Sequence, residues 1–181
     1  RGHEHLIAQA LSACEQVVVL GYSQPEFAGC GRARREAWVA RRFPQVINLQ
    51  IDDATVCARC DERGLTWRPL PPNTAPDAVH QDWLAWLLDG PLDLRPDAMF
   101  ASEPYVHATC ERLGRQWGRV VTPVCVDPDR RQHPVSATQI RQDPHAHREH
   151  LHPDVYRDFV QRVALLGGES SGKTTLAQAL A

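Results

Sequence analysis

Lysine is almost absent from this chain: of its 20 basic residues only Lys173 is lysine, and arginine serves everywhere else. Net charge is scant too, at -2. No bulk field therefore draws the chain to nucleic acid or to an anionic membrane, and any basic surface has to be local. Long apolar runs are missing, since nothing approaches the roughly 18 residues that a membrane-spanning helix needs. Residues 1–20 lack the basic-then-apolar layout of a signal peptide, so the expected location is cytoplasmic. The six cysteines, at 14, 30, 57, 60, 110 and 125, are too few and too scattered to staple a fold of this size, which predicts free thiols. There is no internal repeat and no low-complexity segment. What is present is an ordinary globular composition, 43% hydrophobic and 23% charged over 181 residues, with room for one domain and a remnant. The chain opens on Arg1-Gly2-His3 at the head of a helical pattern, without a start methionine, and ends a turn or two into another helical pattern. The expectation is a fragment.

The one lysine lies in the most specific motif. Gly167, Gly168, Glu169, Ser170, Ser171, Gly172, Lys173 and Thr174 fit G-x-x-x-x-G-K-[ST], the Walker A phosphate loop. Backbone N–H groups and a helix N-terminus can cradle phosphates there, Lys173 supplies a compact point charge, and the Thr174 hydroxyl stands where it would meet Mg2+. Thr175 continues the motif. The context agrees: Val163-Ala164-Leu165-Leu166 reads as a buried strand and Thr175–Ala181 as the start of a helix.

Upstream, strand and helix patterns alternate. Helices are expected over residues 4–15, 32–43, 77–88 and 107–117, and strands over 17–21, 46–51, 98–101 and 120–126. Proline and glycine mark loops at 22–31 and 65–77. This order predicts an α/β protein with a parallel sheet covered on both faces, its ligands held at the carboxyl ends of the strands. The loops concerned are Tyr22–Gly31, Ser102-Glu103-Pro104 and the segment after Val126.

That last segment contains Val135-Ser136-Ala137-Thr138-Gln139-Ile140-Arg141. Ser136 suits a helix N-cap, and Arg141 five residues on could grip an anion at the first-turn amides. On spacing alone, a plainly capped surface helix explains it as well. Gly2-His3, ahead of the first helical pattern, could bring a close backbone approach and an imidazole to a phosphate in transit.

Taken together, Gly2-His3 and Val135–Arg141 resemble the end of the H-x-G-H motif and the I-S-x-T-x-I-R signature of nucleotidylyltransferases. With Phe100-Ala101-Ser102-Glu103-Pro104, Val126-Asp127-Pro128-Asp129-Arg130 and Leu165–Lys173, the chain resembles the NadR-type bifunctional nicotinamide-nucleotide adenylyltransferase and ribosylnicotinamide kinase family along nearly its whole length. The resemblance implies a Rossmann-like parallel sheet over residues 1–158, its first strand lying upstream of Arg1. The strand-loop-helix opening of a P-loop kinase domain would occupy residues 159–181. It implies that ATP and nicotinamide mononucleotide give NAD and pyrophosphate, with Mg2+ as cofactor and small-molecule nucleotides as partners. No membrane or nucleic-acid contact is implied, and a homo-oligomer is left open. His3 would sit on the reacting phosphate and be catalytic with Arg141. Gly2, His3, Ser136, Thr138 and Arg141 would hold ATP, while Trp83 and Trp86, Trp83 favoured as lying nearer the helix start, would hold the nicotinamide nucleotide with Arg35, Trp38, Ser102 and Glu103.

Each of these residues has a plainer reading: core packing for the tryptophans, helix-to-sheet packing for Arg35 and Trp38, a helix cap for Ser102 and Glu103. Cys57-x-x-Cys60 has no second ligand pair at zinc-site spacing, so no metal is expected there. His145, His147, His150 and His152 stand in a polar stretch with Pro144 and Pro153 that reads as a solvated connector. Three functions remain open: the adenylyltransferase, a P-loop kinase or ATPase with a merely nucleotide-binding domain in front, and a sensor of NAD-pathway nucleotides.

Overall fold

The computed structural model describes residues 2–160 and 164–180. Its elements run α1 (Gly2–Ala13), β1 (Val18–Gly21), α2 (Arg32–Arg42), β2 (Ile47–Gln50), α3 (Asp53–Arg63), α4 (Asp77–Asp89), β3 (Ala98–Ala101) and α5 (Tyr105–Trp117). β4 (Thr122–Cys125), α6 (Ala137–Gln142), a 3-10 turn (Arg148–His150), α7 (Pro153–Tyr156) and α8 (Lys173–Leu180) follow. No helix among the described residues is long and apolar enough to cross a membrane.

The chain is α/β with parallel strands. β1 pairs with β2, Val18 opposite Ile47 and Gly21 opposite Gln50, and α2 makes the crossover. β3 pairs with β4, Ala98 opposite Thr122 and Ala101 opposite Cys125, and α5 crosses over. Each unit is a βαβ turn, the arrangement that parallel pairing demands. The expected single sheet is not what forms: among the described residues there are two two-stranded sheets, because no described strand pairs with β1 on one side and β3 on the other. Pro123 lies within β4, where its missing N–H is tolerated because β4 pairs only with β3 among the described strands.

One core joins the second unit to the carboxyl end of the first. Ile51 follows β2, Val56 and Cys60 face inward from α3, Trp83, Ala85, Leu87 and Leu88 from α4, and Val106, Cys110 and Leu113 from α5. Helix α3 was not foreseen from the sequence. Asp52 caps it by accepting from the Thr55 N–H at 2.8 Å, and Gly64 ends it in the left-handed conformation at φ 64°. Val56 and Cys60, at i and i+4, are its buried face, so one member of the C-x-x-C is a core residue. Gly114 permits a close approach: a Cβ there would meet the Arg119 carbonyl oxygen at 2.8 Å, and the chain after α5 turns back across the helix through that contact. All six cysteines are unpaired.

The Walker segment differs from expectation. Val163 lies outside the described residues. Residues 164–172 are irregular, and Leu166 is 93% exposed. A parallel strand needs a neighbour to pair with, and no described strand flanks this one. Helix α8 does form, from Lys173; Ala181 is outside the described residues.

Candidate functional site

Four loops lie at the carboxyl ends of the strands: 22–31 after β1, 51–52 after β2, 102–104 after β3 and 126–136 after β4. Ligands of parallel α/β proteins bind in this position.

The loop after β4 is shaped by Asp127. Its carboxylate accepts backbone N–H groups of Arg131 at 2.8 Å, Gln132 at 3.2 Å and His133 at 3.2 Å. Desolvation works against the charge, but these backbone donors prevail and hold the carboxyl below the usual range. The chain then enters α6 through a capping box: the Ser136 hydroxyl accepts from the Gln139 N–H at 3.1 Å, and the Gln139 side chain accepts from the Ser136 N–H at 2.8 Å. The sequence-predicted cap is therefore present. Arg141, from the last turn of α6, does not reach back to Ser136. Its Nη2 donates to the Thr138 hydroxyl at 3.1 Å, and its guanidinium lies over the Phe27 ring, 3.9 Å from the centroid.

Gly2 and His3 form the first turn of α1 rather than preceding it. A side chain at Gly2 would meet only His133, at an ordinary 3.8 Å, so no close approach demands glycine there. His3 is solvent-exposed at its surface. Desolvation, then the charge at the amino terminus and then Arg141 lower the imidazole from its ordinary pKa. His3 and Arg141 are thus brought into one electrostatic neighbourhood. Cys30 shares it: burial pushes its thiol up, while Arg141 and then Arg35 pull it back.

Arg35 stabilises the 22–31 loop from behind. It donates to Ser23 Oγ at 3.1 Å, to the Cys30 carbonyl at 2.8 Å, to Glu26 at 2.9 Å and to the Gln50 side chain at 3.2 Å. Trp38, one turn further along α2, faces elsewhere and donates to Asp158 at 2.6 Å. The two residues read as a pair from the sequence therefore serve different surroundings in this structure.

The expected ring platform lies around α4. Trp83 is 5% exposed and packs between Tyr22, at 4.9 Å between centroids, and Trp86, at 6.1 Å. Arg68 covers Trp86, at 5.3 Å. Tyr22 bonds His80 Nδ1 at 3.2 Å, and burial, with Tyr105 as the lesser cause, pushes its phenol up to about 12. Trp86 and Tyr22 are the more accessible edges of this cluster. Glu103 pairs with Arg130 at 3.3 Å, which ties the β3 loop to the β4 loop; Ser102 lies beside it at the end of β3.

The phosphate-loop residues occupy a separate, exposed stretch. Lys173 Nζ donates to the Gly168 carbonyl at 2.5 Å and to Ser171 Oγ at 3.2 Å, and Ser171 also donates to the Gly168 carbonyl at 2.9 Å. The ammonium is folded onto its own loop, with Thr174 and Thr175 in the first turn of α8. Of the clustered histidines, His145 bonds the Tyr156 hydroxyl at 3.0 Å and His152 caps α7 by accepting from the Asp154 N–H at 3.1 Å. Among the described residues no group of three or more His, Cys, Asp or Glu could hold a metal ion.

Sequence reasoning missed Phe27, Tyr22 and Asn73. Tyr22 stands directly after β1, which is signal enough. Phe27 is an aromatic residue stranded in a Pro/Gly loop, where nothing local calls for one. Asn73 donates its N–H to the Gln24 carbonyl at 2.7 Å, while its side chain accepts from the Gln24 N–H at 2.9 Å and donates to the Pro25 carbonyl at 2.8 Å. No local pattern reveals that partnership.

Parallel βαβ units with polar loops gathered at their carboxyl ends define an α/β protein. The chain is moreover NadR-like across nearly all of its length. It is 27% identical to the trifunctional NAD biosynthesis/regulator protein NadR of Salmonella typhimurium over 99% of its residues, covering 42% of that protein. It is 39% identical to the protein of the same name from Escherichia coli over 49% of its residues, covering 20% of that protein. The chain thus spans less than half the length of these curated relatives. No family model matches the chain, and no solved structure matches it.

Proposed function

We propose that this chain acts in NAD biosynthesis as a nicotinamide-nucleotide adenylyltransferase built on Rossmann-like βαβ units within residues 1–158, with residues 159–181 opening an ATP-dependent ribosylnicotinamide kinase. The observation that carries the proposal is the gathering of Thr138, Arg141 and Phe27 at one open pocket, with the Arg141 guanidinium over the Phe27 ring at 3.9 Å from the centroid. The NadR-like sequence over 99% of the chain supports it.

In the reaction, an oxygen of the mononucleotide 5′-phosphate forms a bond to the α-phosphorus of ATP. The bond from that phosphorus to the oxygen bridging to the β-phosphate breaks, and pyrophosphate leaves with those electrons. No protein nucleophile is required, so the chain's residues act by positioning and by charge. Arg141, held by Thr138 and Phe27, supplies guanidinium donors to the departing phosphates. His3 donates a hydrogen bond from its imidazole to the reacting phosphate. Ser136, its oxygen engaged in the cap, still has its hydroxyl proton to donate. Trp86 and Tyr22 offer ring faces to the nicotinamide, with Trp83 behind them.

Mg2+ would neutralise phosphate charge. Thr174 would offer it one hard oxygen in the kinase region, with nucleotide phosphate oxygens supplying others.

The test is transfer of label. With ATP labelled at the α-phosphate and nicotinamide mononucleotide, the full-length protein should place the label in NAD. Binding of both nucleotides without transfer would favour a sensing role instead.

A further inference from the structure

We infer that Phe27 is a positioning residue for Arg141, presenting its guanidinium to an anion without consuming its hydrogen-bond donors. The inference rests on the adenylyltransferase reading and deepens it.

The ring of Phe27 is 37% exposed, yet its loop is pinned on both sides. Asn73 makes its three hydrogen bonds to Gln24 and Pro25 just before the ring. Just after it, the Cys30 N–H donates to the Phe27 carbonyl at 2.9 Å, and Arg35 donates to the Cys30 carbonyl. A rigid loop thus carries an aromatic face to the surface, and what lies on that face is the Arg141 guanidinium at 3.9 Å. Phe27, Thr138, Arg141 and Asn73 line an open pocket of about 460 Å3.

A free arginine side chain samples many rotamers, and fixing it on binding costs affinity. Stacking fixes it in advance. The ring attracts the cation through its π face, whereas all five N–H donors point outward in the guanidinium plane. One Nη donates to Thr138, and the donors remaining in the plane are available for phosphate oxygens at the pocket. An ion pair with a carboxylate would position the arginine equally well, but it would occupy those donors and cancel the charge. Phenylalanine does neither.

The experiment measures inorganic pyrophosphate and ATP binding by calorimetry in a Lys173→Ala background, which silences the phosphate loop of α8. Phe27→Ala should weaken pyrophosphate binding about threefold or more. Phe27→Leu, which keeps apolar bulk without a π face, should weaken it likewise, and Phe27→Tyr should restore it. In an Arg141→Ala background Phe27→Ala should have no further effect. Circular dichroism establishes that each variant is folded, and Phe27→Leu stands in for Phe27→Ala if the latter is not. Parent-like binding by Phe27→Leu, or an undiminished Phe27 effect without Arg141, overturns the inference and leaves the adenylyltransferase reading intact. A folded parent that binds neither pyrophosphate nor ATP overturns that reading itself.

Discussion

Trp38 donates its indole N–H to Asp158 at 2.6 Å, and Arg41, one turn further along α2, donates to the same carboxylate oxygen at 3.0 Å. Phe159 adds its ring 5.8 Å from Trp38. The stretch after α7 is thereby fastened to α2, the crossover helix behind the 22–31 loop. The Trp38 bond first, despite partial desolvation, and then Arg41 hold the Asp158 carboxyl below the usual range. Asp158→Ala should cost about 1 kcal/mol, the modest value of a hydrogen-bonded, partly exposed ion pair. It should also speed proteolysis or amide exchange at residues 153–160. Because the folded-state pKa is depressed, this contribution is present above the unfolded carboxylate pKa and is lost as pH falls through the folded value. Unchanged protection in Asp158→Ala would show that the segment is held by something else.

Acid should act earlier through histidine. His3 and His133 are both held below the ordinary imidazole value, by desolvation first. At His133 the charge at the amino terminus and His5 add to the effect, Asp127 opposes it, and His150 adds least. The unfolded chain therefore takes up these protons before the folded one does. Stability should fall as pH drops through about 6.5, well before the carboxylates titrate. Melting temperature measured from pH 7.5 to 5 should decline, and His133→Asn should flatten the decline. A flat profile in the parent would contradict this.

The two candidate ring residues should separate by stability. Trp83 is buried among Tyr22, Trp86 and the core, so Trp83→Ala should cost about 3–5 kcal/mol in urea unfolding. Trp86, partly exposed beneath Arg68, should cost clearly less. A Michaelis constant for the mononucleotide that rises in Trp86→Ala, with stability largely kept, would assign the exposed ring to binding.

Gly114→Ala places a methyl group against the Arg119 carbonyl oxygen. Overpacking against backbone should destabilise by about 1–3 kcal/mol, although alanine is the better helix former. A neutral or stabilised variant would mean that the chain after α5 can move aside.

Much of the fold was legible because its signals are local. The apolar runs at 17–21, 46–51, 98–101 and 120–126 marked the four strands within two residues, and α2 and α4 began where Arg32 and Asp77 suggested. Helix α3 was overlooked because only Val56 and Cys60 face the core and the C-x-x-C invited a different reading; Asp52 and Gly64 were the caps that could have revealed it. The Walker strand failed for the opposite reason. Its apolar pattern is clear, but pairing depends on a neighbour that local sequence does not contain. At the candidate site the Ser136 cap was legible from the sequence and formed as expected. Phe27 beneath Arg141, Asn73 behind Phe27 and Asp158 against Trp38 are contacts across the fold that no periodicity announces.

The most direct test compares pyrophosphate release by the full-length protein with that by its Arg141→Ala variant, both given ATP and nicotinamide mononucleotide. The expected result is release that requires both nucleotides, matches NAD formed, and falls by roughly two orders of magnitude or more in the variant while folding is kept. Release at equal rates with and without Arg141, or none from a folded parent that binds both nucleotides, would contradict the adenylyltransferase reading.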